Sequence, residues 1–320
     1  MNHGLPPEDW DTQLQQLGGS ILQSRPWGRF QQVLGRELYW AEGDGWRWLA
    51  SLRVSRGLRY LLANYGPAGE GSALPVAIDS LLAAGREAGV DFVRIEPQVD
   101  LSVVQLRRLG GVNIAELDPE HTRIVDLTKE EATLRTELGS SHRNRVNGTE
   151  RRGIHIRQTA DPADFDQFLQ MLHDTAAHSR VIFWPDTFFR QLHDSLGPEI
   201  VHMYIAEVEG QPVASAMFYD WGNTRYYAHA GAYQERNRKI KASVSLVWQA
   251  LIDAKAAGLQ RYDLWGVAPE GDSAHRLAGI SEFKAGFGGQ QVTYCGTWDI
   301  PLKPSKYRLY GVYRKLRGRQ

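Results

Sequence analysis

Cysteine is almost missing from this chain: Cys295 stands alone among 320 residues. A single thiol excludes an internal disulfide and any cysteine-based zinc site, and it suits a reducing compartment. Long apolar runs are missing too. No uncharged stretch reaches the ~18 residues that a bilayer span requires. The opening residues, MNHGLPPEDW, have neither the basic nor the apolar region of a secretory signal. The expected location is therefore the cytoplasm. No Gly-Lys-Ser/Thr occurs, which excludes a Walker A loop, and neither Gly-x-Gly-x-x-Gly nor Gly-x-Ser-x-Gly is present. His173 and His178 are five residues apart, about 140° around a helix, so they do not converge on a metal. They read as surface or cap residues, and no metal or cofactor is expected.

Net charge is the last absence, with 37 basic side chains against 37 acidic ones. The cancellation is uneven. Residues 143–157 carry +4, residues 235–241 carry +3, and the stretch from Lys303 onward has seven bases and no acid. Those three segments total +14, so the remainder carries −14. Opposed patches of this kind let a neutral protein hold an anion on one face.

A composition 42% hydrophobic and 23% charged describes a globular chain whose length suits about two domains. The patterning repeats. Glu37–Ala41 and Gly45–Ser55 read as a hairpin turned at Gly43-Asp44-Gly45, followed by a strand at 58–65, a helix at 74–88 and a strand at 92–96. In the second half, residues 203–209 and 213–220 form a hairpin. A strand at 225–230, a helix at 242–257 and a strand at 261–266 follow. Gly89 and Gly258 cap the two helices. This β-β-β-α-β unit, used twice, predicts an α/β fold with two tandem GNAT-like domains, the N-acyltransferase type, in which the strands flanking the helix splay to admit substrate. The boundary is expected within 127–153, giving domains at 1–148 and 149–302, with the tail 303–320 packing back on the first.

An acyltransferase of this type grips the coenzyme A pyrophosphate with backbone N–H groups of a glycine-rich loop. The corresponding segment here, Gly231-Ala-Tyr-Gln-Glu-Arg-Asn-Arg-Lys-Ile-Lys241, has bulky residues where close approach needs glycine. Arg107-Arg-Leu-Gly110-Gly reads as a helix C-cap instead. The fold suggests acyl transfer while the loop argues against an acyl-CoA donor.

Several segments resemble one family. Phe283-Lys284-Ala-Gly-Phe287-Gly288-Gly289, followed by Tyr294-Cys-Gly296 and Asp299-Ile-Pro301-Leu302, is the strongest match. Tyr262-Asp263-Leu-Trp265-Gly266-Val-Ala-Pro269, Val93-Arg94-Ile95-Glu96-Pro97 and Gln23-Ser24-x-x-Trp27-Gly28 also match. The chain resembles the FemABX peptidoglycan-bridge aminoacyltransferases from about residue 22 to residue 302, in the compact form without a coiled-coil arm. The resemblance implies transfer of an amino acid from aminoacyl-tRNA to an amine of a peptidoglycan precursor, lipid-linked or UDP-linked, without coenzyme A. Both substrates are polyanionic, which gives the basic patches a role.

The resemblance also carries residues. Lys284 is the leading catalytic candidate, a cation for the oxyanion that forms as an amine attacks an ester carbonyl. Glu96 is the candidate that orients or deprotonates the incoming amine. Arg180 matches an arginine that holds the acceptor's phosphate or carboxylate, and Tyr227, Phe283, Trp265 and Gln31 complete the substrate-binding set. Gln31 stands where the family often has lysine. Arg143, Arg145, Arg236, Arg238, Lys239 and Lys241 are the candidates for RNA phosphates. The tail, with Tyr310, Tyr313 and Leu316 among its bases, docks on the first domain or meets anionic lipid at the inner face of the membrane. Two other classes fit the same fold: an acyl-CoA-dependent N-acyltransferase of a polysaccharide or small amine, and a non-catalytic RNA- or muropeptide-binding protein.

Overall fold

The computed structural model describes residues 1–69, 71–99, 103–179 and 183–317. They form two compact units, one comprising Met1–Glu120 with the segment from Thr293 onward, the other His121–Val292. In the first unit, helix α1 (Arg25–Val33) starts at Ser24, whose hydroxyl accepts from the Trp27 N–H at 3.1 Å, with Pro26 in its first turn. Strands β1 (Leu38–Gly43), β2 (Trp46–Ser55) and β3 (Leu58–Ala63) form an antiparallel meander, its first hairpin closed where Gly43 faces Trp46. Helix α2 (Ala73–Glu87) crosses over, and β4 (Phe92–Ile95) returns parallel to β3. A short strand β5 (Val112–Ile114) follows.

The second unit begins with β6 (His121–Asp126), α3 (Glu131–Glu137), α4 (Ser140–Asn147) and β7 (Ile154–Thr159). Helices α5 (Pro162–His178) and α6 (Asp186–Leu196) lead to a second meander, β8 (Val201–Val208), β9 (Gln211–Trp221) and β10 (Thr224–Ala232). Then come α7 (Gln234–Ile240), α8 (Ala242–Ala256), β11 (Arg261–Gly266), α9 (Ala278–Ala285) and β12 (Gln290–Thr293). Strand β13 (Thr297–Pro301) and helix α10 (Pro304–Arg317) return to the first unit.

In each sheet a parallel pair, β3 with β4 and β10 with β11, stands where a helix crosses over. The sheet orders are β1-β2-β3-β4-β13-β5, with Asn2–His3 at the outer edge, and β12-β6-β11-β10-β9-β8-β7. The element order read from sequence is thus present twice, as the two GNAT-like folds require. Each helix seals its sheet with a core: Leu61, Ala77, Leu81, Val93 and Trp298 in the first unit, Phe218, Val247, Leu251, Tyr262, Leu264 and Phe287 in the second. Burying a side chain of this size contributes roughly 1.5–3 kcal/mol.

The division at 148/149 is corrected by the structure. Residues 121–148 belong to the second unit and 293–302 to the first. The last strand of each repeat leaves an unpaired edge, and a strand from outside that repeat covers it. Asp126 faces Arg261 across β6 and β11, and Trp298 faces Ile95 across β13 and β4. In α10, Tyr307 is buried, donates to Asp299 Oδ2 at 2.7 Å and meets Phe92 edge-on, while Lys303 and Lys306 pair with Asp91. The side chains of Tyr313 and Leu316 lie outside the described residues. No helix among the described residues is long and apolar enough to cross a membrane.

Candidate functional site

In the second unit the parallel pair is short. Thr224–Tyr226 face Arg261–Asp263, after which β10 and β11 part and continue to Ala232 and Gly266. Asp263 sits at the divergence. Its Oδ1 accepts from the Trp265 N–H at 2.7 Å and from the Thr122 hydroxyl, and Trp265 takes a left-handed backbone (φ 60°). Burial raises the Asp263 pKa.

Lys284 reaches this divergence from the last turn of α9. Only 7% exposed, it donates from Nζ to Gly266 O at 2.7 Å and lies 5.9 Å from the Tyr227 ring centroid. Burial lowers its pKa to about 8, opposed by the charge of Asp263. The ammonium form still dominates at neutral pH. Gly288 and Gly289, beyond the end of α9, explain how the lysine is held. Both have positive φ, and a Cβ on Gly289 would lie 2.4 Å from the Ile124 carbonyl oxygen of β6. That close approach seats α9 against the sheet, with Phe287 buried edge-on to His142.

Beside the parted strands opens a cleft of about 1140 Å³. Tyr227 and residues 230–232 form one wall, Gln234, Asn237, Lys241, Ser243 and Val244 at the start of α8 another, and residues 274–280 with Phe283 a third. His178, Lys241, His275 and Arg276 face it, and no carboxylate does among the described residues lining it. Asn237 Oδ1 is buried without a partner. A helix N-terminus with Lys241 and Arg276 beside it makes this wall receptive to anions. Lys241 links α7 to α8 with φ 58°, so the segment expected as a glycine-poor loop is a helical turn followed by one strained residue.

The sequence candidates divide between the units. Lys284, Tyr227, Phe283 and Trp265 gather in the second. Tyr227 and Phe283 line the cleft, whereas Trp265 packs edge-on to Tyr226 at 5.4 Å. Arg236, Arg238, Lys239 and Lys241 are exposed along α7 and its end. Arg143 and Arg145 are half-buried on α4. Arg143 donates to Leu138 O at 3.0 Å and its Nε is buried without a partner, so it is not the freely solvated cation its charge run suggests. Arg180 lies outside the described residues. His173 pairs with Asp186 and His178 with Asp174.

Glu96 and Gln31 belong to the first unit, and both differ from expectation. Glu96 follows the end of β4 but does not stand on a splayed edge. It is 3% exposed, and its N–H donates to Gly66 O at 3.0 Å, so the chain after β3 stays tied to it. Its Oε1 accepts from the Thr297 hydroxyl at 2.6 Å and the Asp118 N–H at 3.1 Å, while Oε2 is buried without a donor. Desolvation, with the nearby charge of Asp118, holds its pKa well above the usual carboxylate value. Gln31 is not presented for direct recognition. It is 2% exposed, and its Oε1 accepts from Arg36 and from Arg53 at 3.0 Å. Burial, reinforced by Arg36, lowers the Arg53 pKa to about 10. Asp118, Arg36 and Arg53 carry no sequence signal, because only folding brings them to Glu96 and Gln31.

Residues 140–284 match the acetyltransferase (GNAT) domain family. The aminoacyltransferase FemA of Staphylococcus epidermidis is 26% identical over 89 residues, which is 28% of this chain and 21% of that protein. FemA of Staphylococcus aureus is 25% identical over 91 residues, again 28% of this chain and 22% of that one. The crystal structure of FemX superposes with a TM-score of 0.82 at 14% identity, covering 97% of this chain and 99% of that one. The chain is similar to the FemA proteins over this stretch and shares the fold of FemX. It spans about a fifth of the length of the FemA proteins it matches, and its fold resembles that of FemX. L-PGS from Bacillus licheniformis shares the fold more loosely, with a TM-score of 0.61 at 14% identity over 99% of this chain and 98% of that one.

Proposed function

We propose that this protein is a FemABX-type, tRNA-dependent aminoacyltransferase that joins an amino acid to an amine of a peptidoglycan precursor's stem peptide. The observation that carries the reading is the carboxylate-free basic cleft at the parted strands of the second unit, with a buried lysine at its back. It occupies the place where an acyltransferase of this fold holds its donor. Helix α7 and Lys241 fill the segment that would need glycines for a coenzyme A pyrophosphate, which favours a nucleic-acid donor. The exposed bases of α7 extend the same charge outward along a path suited to RNA phosphates.

In the reaction, the neutral amine of the acceptor attacks the ester carbonyl of the aminoacyl group. The C–N bond forms, the C–O bond to the ribose breaks, and the proton lost by nitrogen passes to the leaving ribose oxygen. Lys284 supplies positive charge to the tetrahedral oxyanion in a site of low dielectric, where such charge counts for more than in water. Tyr227 and Phe283 position the aminoacyl end. In the first unit, the Arg36–Arg53 pair on Gln31 offers cations suited to the acceptor's phosphates. Contact of α10 with anionic lipid belongs to the same reading when the acceptor is lipid-linked.

The test supplies charged tRNA with UDP-linked or lipid-linked pentapeptide and follows the acceptor by mass spectrometry. Gain of one aminoacyl mass, abolished by ribonuclease, is expected. Transfer from an acyl-CoA instead, unaffected by ribonuclease, would replace this reading.

A further inference from the structure

One end of the first unit is crowded with bases. The hairpin of β2 and β3 closes where Ser55 faces Leu58, which leaves Arg56 and Gly57 at its tip. Both have positive φ, 52° and 76°. Asparagine and glycine fill such a pair with least strain, so the arginine stands there against its backbone preference. Arg56 and Arg59 are exposed, and Val54, which faces Arg59 across the hairpin, is 71% exposed. Helix α10 starts at the same end. Its Tyr307 and Tyr310 pack with Leu58, Phe92 and Tyr60. Lys303 and Lys306 reach Asp91, whose N–H donates to Arg59 O at 2.7 Å. That seat leaves Arg308 and Leu309 exposed, the leucine at 72%. Asp91 is buried and shared by the two lysines, and the sequence has no acid after Asp299. Glu37 and Glu87 are the exposed acids at this end, fewer than its bases.

We infer that this end of the first unit is a docking surface for an anionic bilayer, with the β2–β3 tip and the outer side of α10 as its two contacts. Bases alone would serve RNA as well as lipid. The exposed Val54 and Leu309 among them decide between the two. Aliphatic side chains offer nothing to RNA phosphates, whereas the boundary of headgroups and acyl chains takes them in while the bases stay with the anionic headgroups. Both contacts belong to the first unit, so the surface needs nothing from the cleft of the second. Bilayer binding stands by itself. Its use, which is to hold the enzyme where a lipid-linked acceptor lies, rests on the aminoacyltransferase reading.

The experiment follows co-sedimentation of the full chain with vesicles of phosphatidylcholine containing about one third phosphatidylglycerol, beside vesicles of phosphatidylcholine alone. The protein should sediment with the anionic vesicles and not with the neutral ones, and added salt should release it. R56A and R308A should each weaken partition about fivefold, the fold-change for about 1 kcal/mol per base at such a surface. V54S and L309S should each weaken it about threefold or more. All four side chains are exposed, so circular dichroism of the variants should match wild type. Failure of wild type to bind the anionic vesicles overturns the proposal. So does wild-type partition in both R56A and V54S, which would remove the hairpin tip from the surface. A double variant, R56A with R308A, that loses tRNA binding but keeps vesicle partition would give the surface to RNA instead. In transfer, that double variant should keep the wild-type rate with UDP-linked pentapeptide. With lipid-linked pentapeptide in limiting vesicles it should lose about twentyfold. If wild type binds the vesicles but transfers to neither acceptor, the enzymatic reading fails and the docking surface stands.

Discussion

Replacing Lys284 with methionine probes the buried ammonium at the back of the cleft. Methionine matches the side chain in length and removes its charge. Burial lowers the lysine's pKa from the ordinary 10.5 to about 8 in the folded chain. Between those values the unfolded chain binds more protons, so wild-type stability rises with pH across that window. At one pKa unit per 1.36 kcal/mol, the penalty for holding Lys284 protonated is about 3 kcal/mol at pH 7 and about 1 kcal/mol at pH 10. Methionine carries no such penalty. It does leave the Gly266 carbonyl without its donor, at a pH-independent cost of roughly 1–3 kcal/mol. The stability difference between K284M and wild type should therefore change by about 2 kcal/mol from pH 7 to pH 10, in favour of the variant at the lower pH. Urea unfolding of both proteins at intermediate pH values measures it. A difference that stays flat with pH would refute the picture of a desolvated, charged lysine. Catalysis gives the opposite sign: the active ammonium form is present below pH 8 and lost above it, so the rate should fall as pH rises through about 8, and K284M should lose transfer at every pH.

Further outcomes follow from other parts of the structure. K241A should weaken tRNA binding and reduce the dependence of log K on log salt by about one unit or less, as loss of one phosphate contact does; filter binding across salt concentrations measures both. An unchanged salt slope would remove Lys241 from the donor path. Asp299 is fully buried, gripped by Arg94 at 2.7 and 2.9 Å and by the Tyr307 hydroxyl. Asp299→Ala should cost about 3–5 kcal/mol, because it leaves a mostly buried guanidinium unpaired. It should also loosen α10, seen as faster hydrogen exchange across residues 304–311. Full protection of that helix in the variant would contradict the role given to Tyr307.

Much of the fold was legible because the sequence carries its periodicities twice. The hairpin at Gly43–Gly45, the helix at 73–87 and the strand at 261–266 each rest on local signals of turn, apolar stripe or alternation. The unit boundary was not, because β6 and β13 satisfy sheet edges far away in sequence, and no local pattern announces which edge a strand will cover. At the site, the Phe-Lys-x-x-Phe-Gly-Gly block carries its own explanation. Its glycines are demanded by the approach to Ile124, and its lysine is buried as a result. The first unit was harder. Glu96 stood out in sequence, but its burial and its pairing with Asp118 depend on a loop that folds back over 22 residues. Gln31 stood out as a missing lysine, while the cations beside it come from Arg36 and Arg53. Arg143 shows the converse: a residue in a basic run whose guanidinium is spent on a helix-end carbonyl.

The most direct measurement is transfer itself. Purified protein, tRNA charged with a labelled amino acid, and UDP-linked and lipid-linked pentapeptide should give an acceptor heavier by one aminoacyl residue. That gain should be lost with ribonuclease and with K284M. An acceptor of unchanged mass with every charged tRNA supplied would contradict the account.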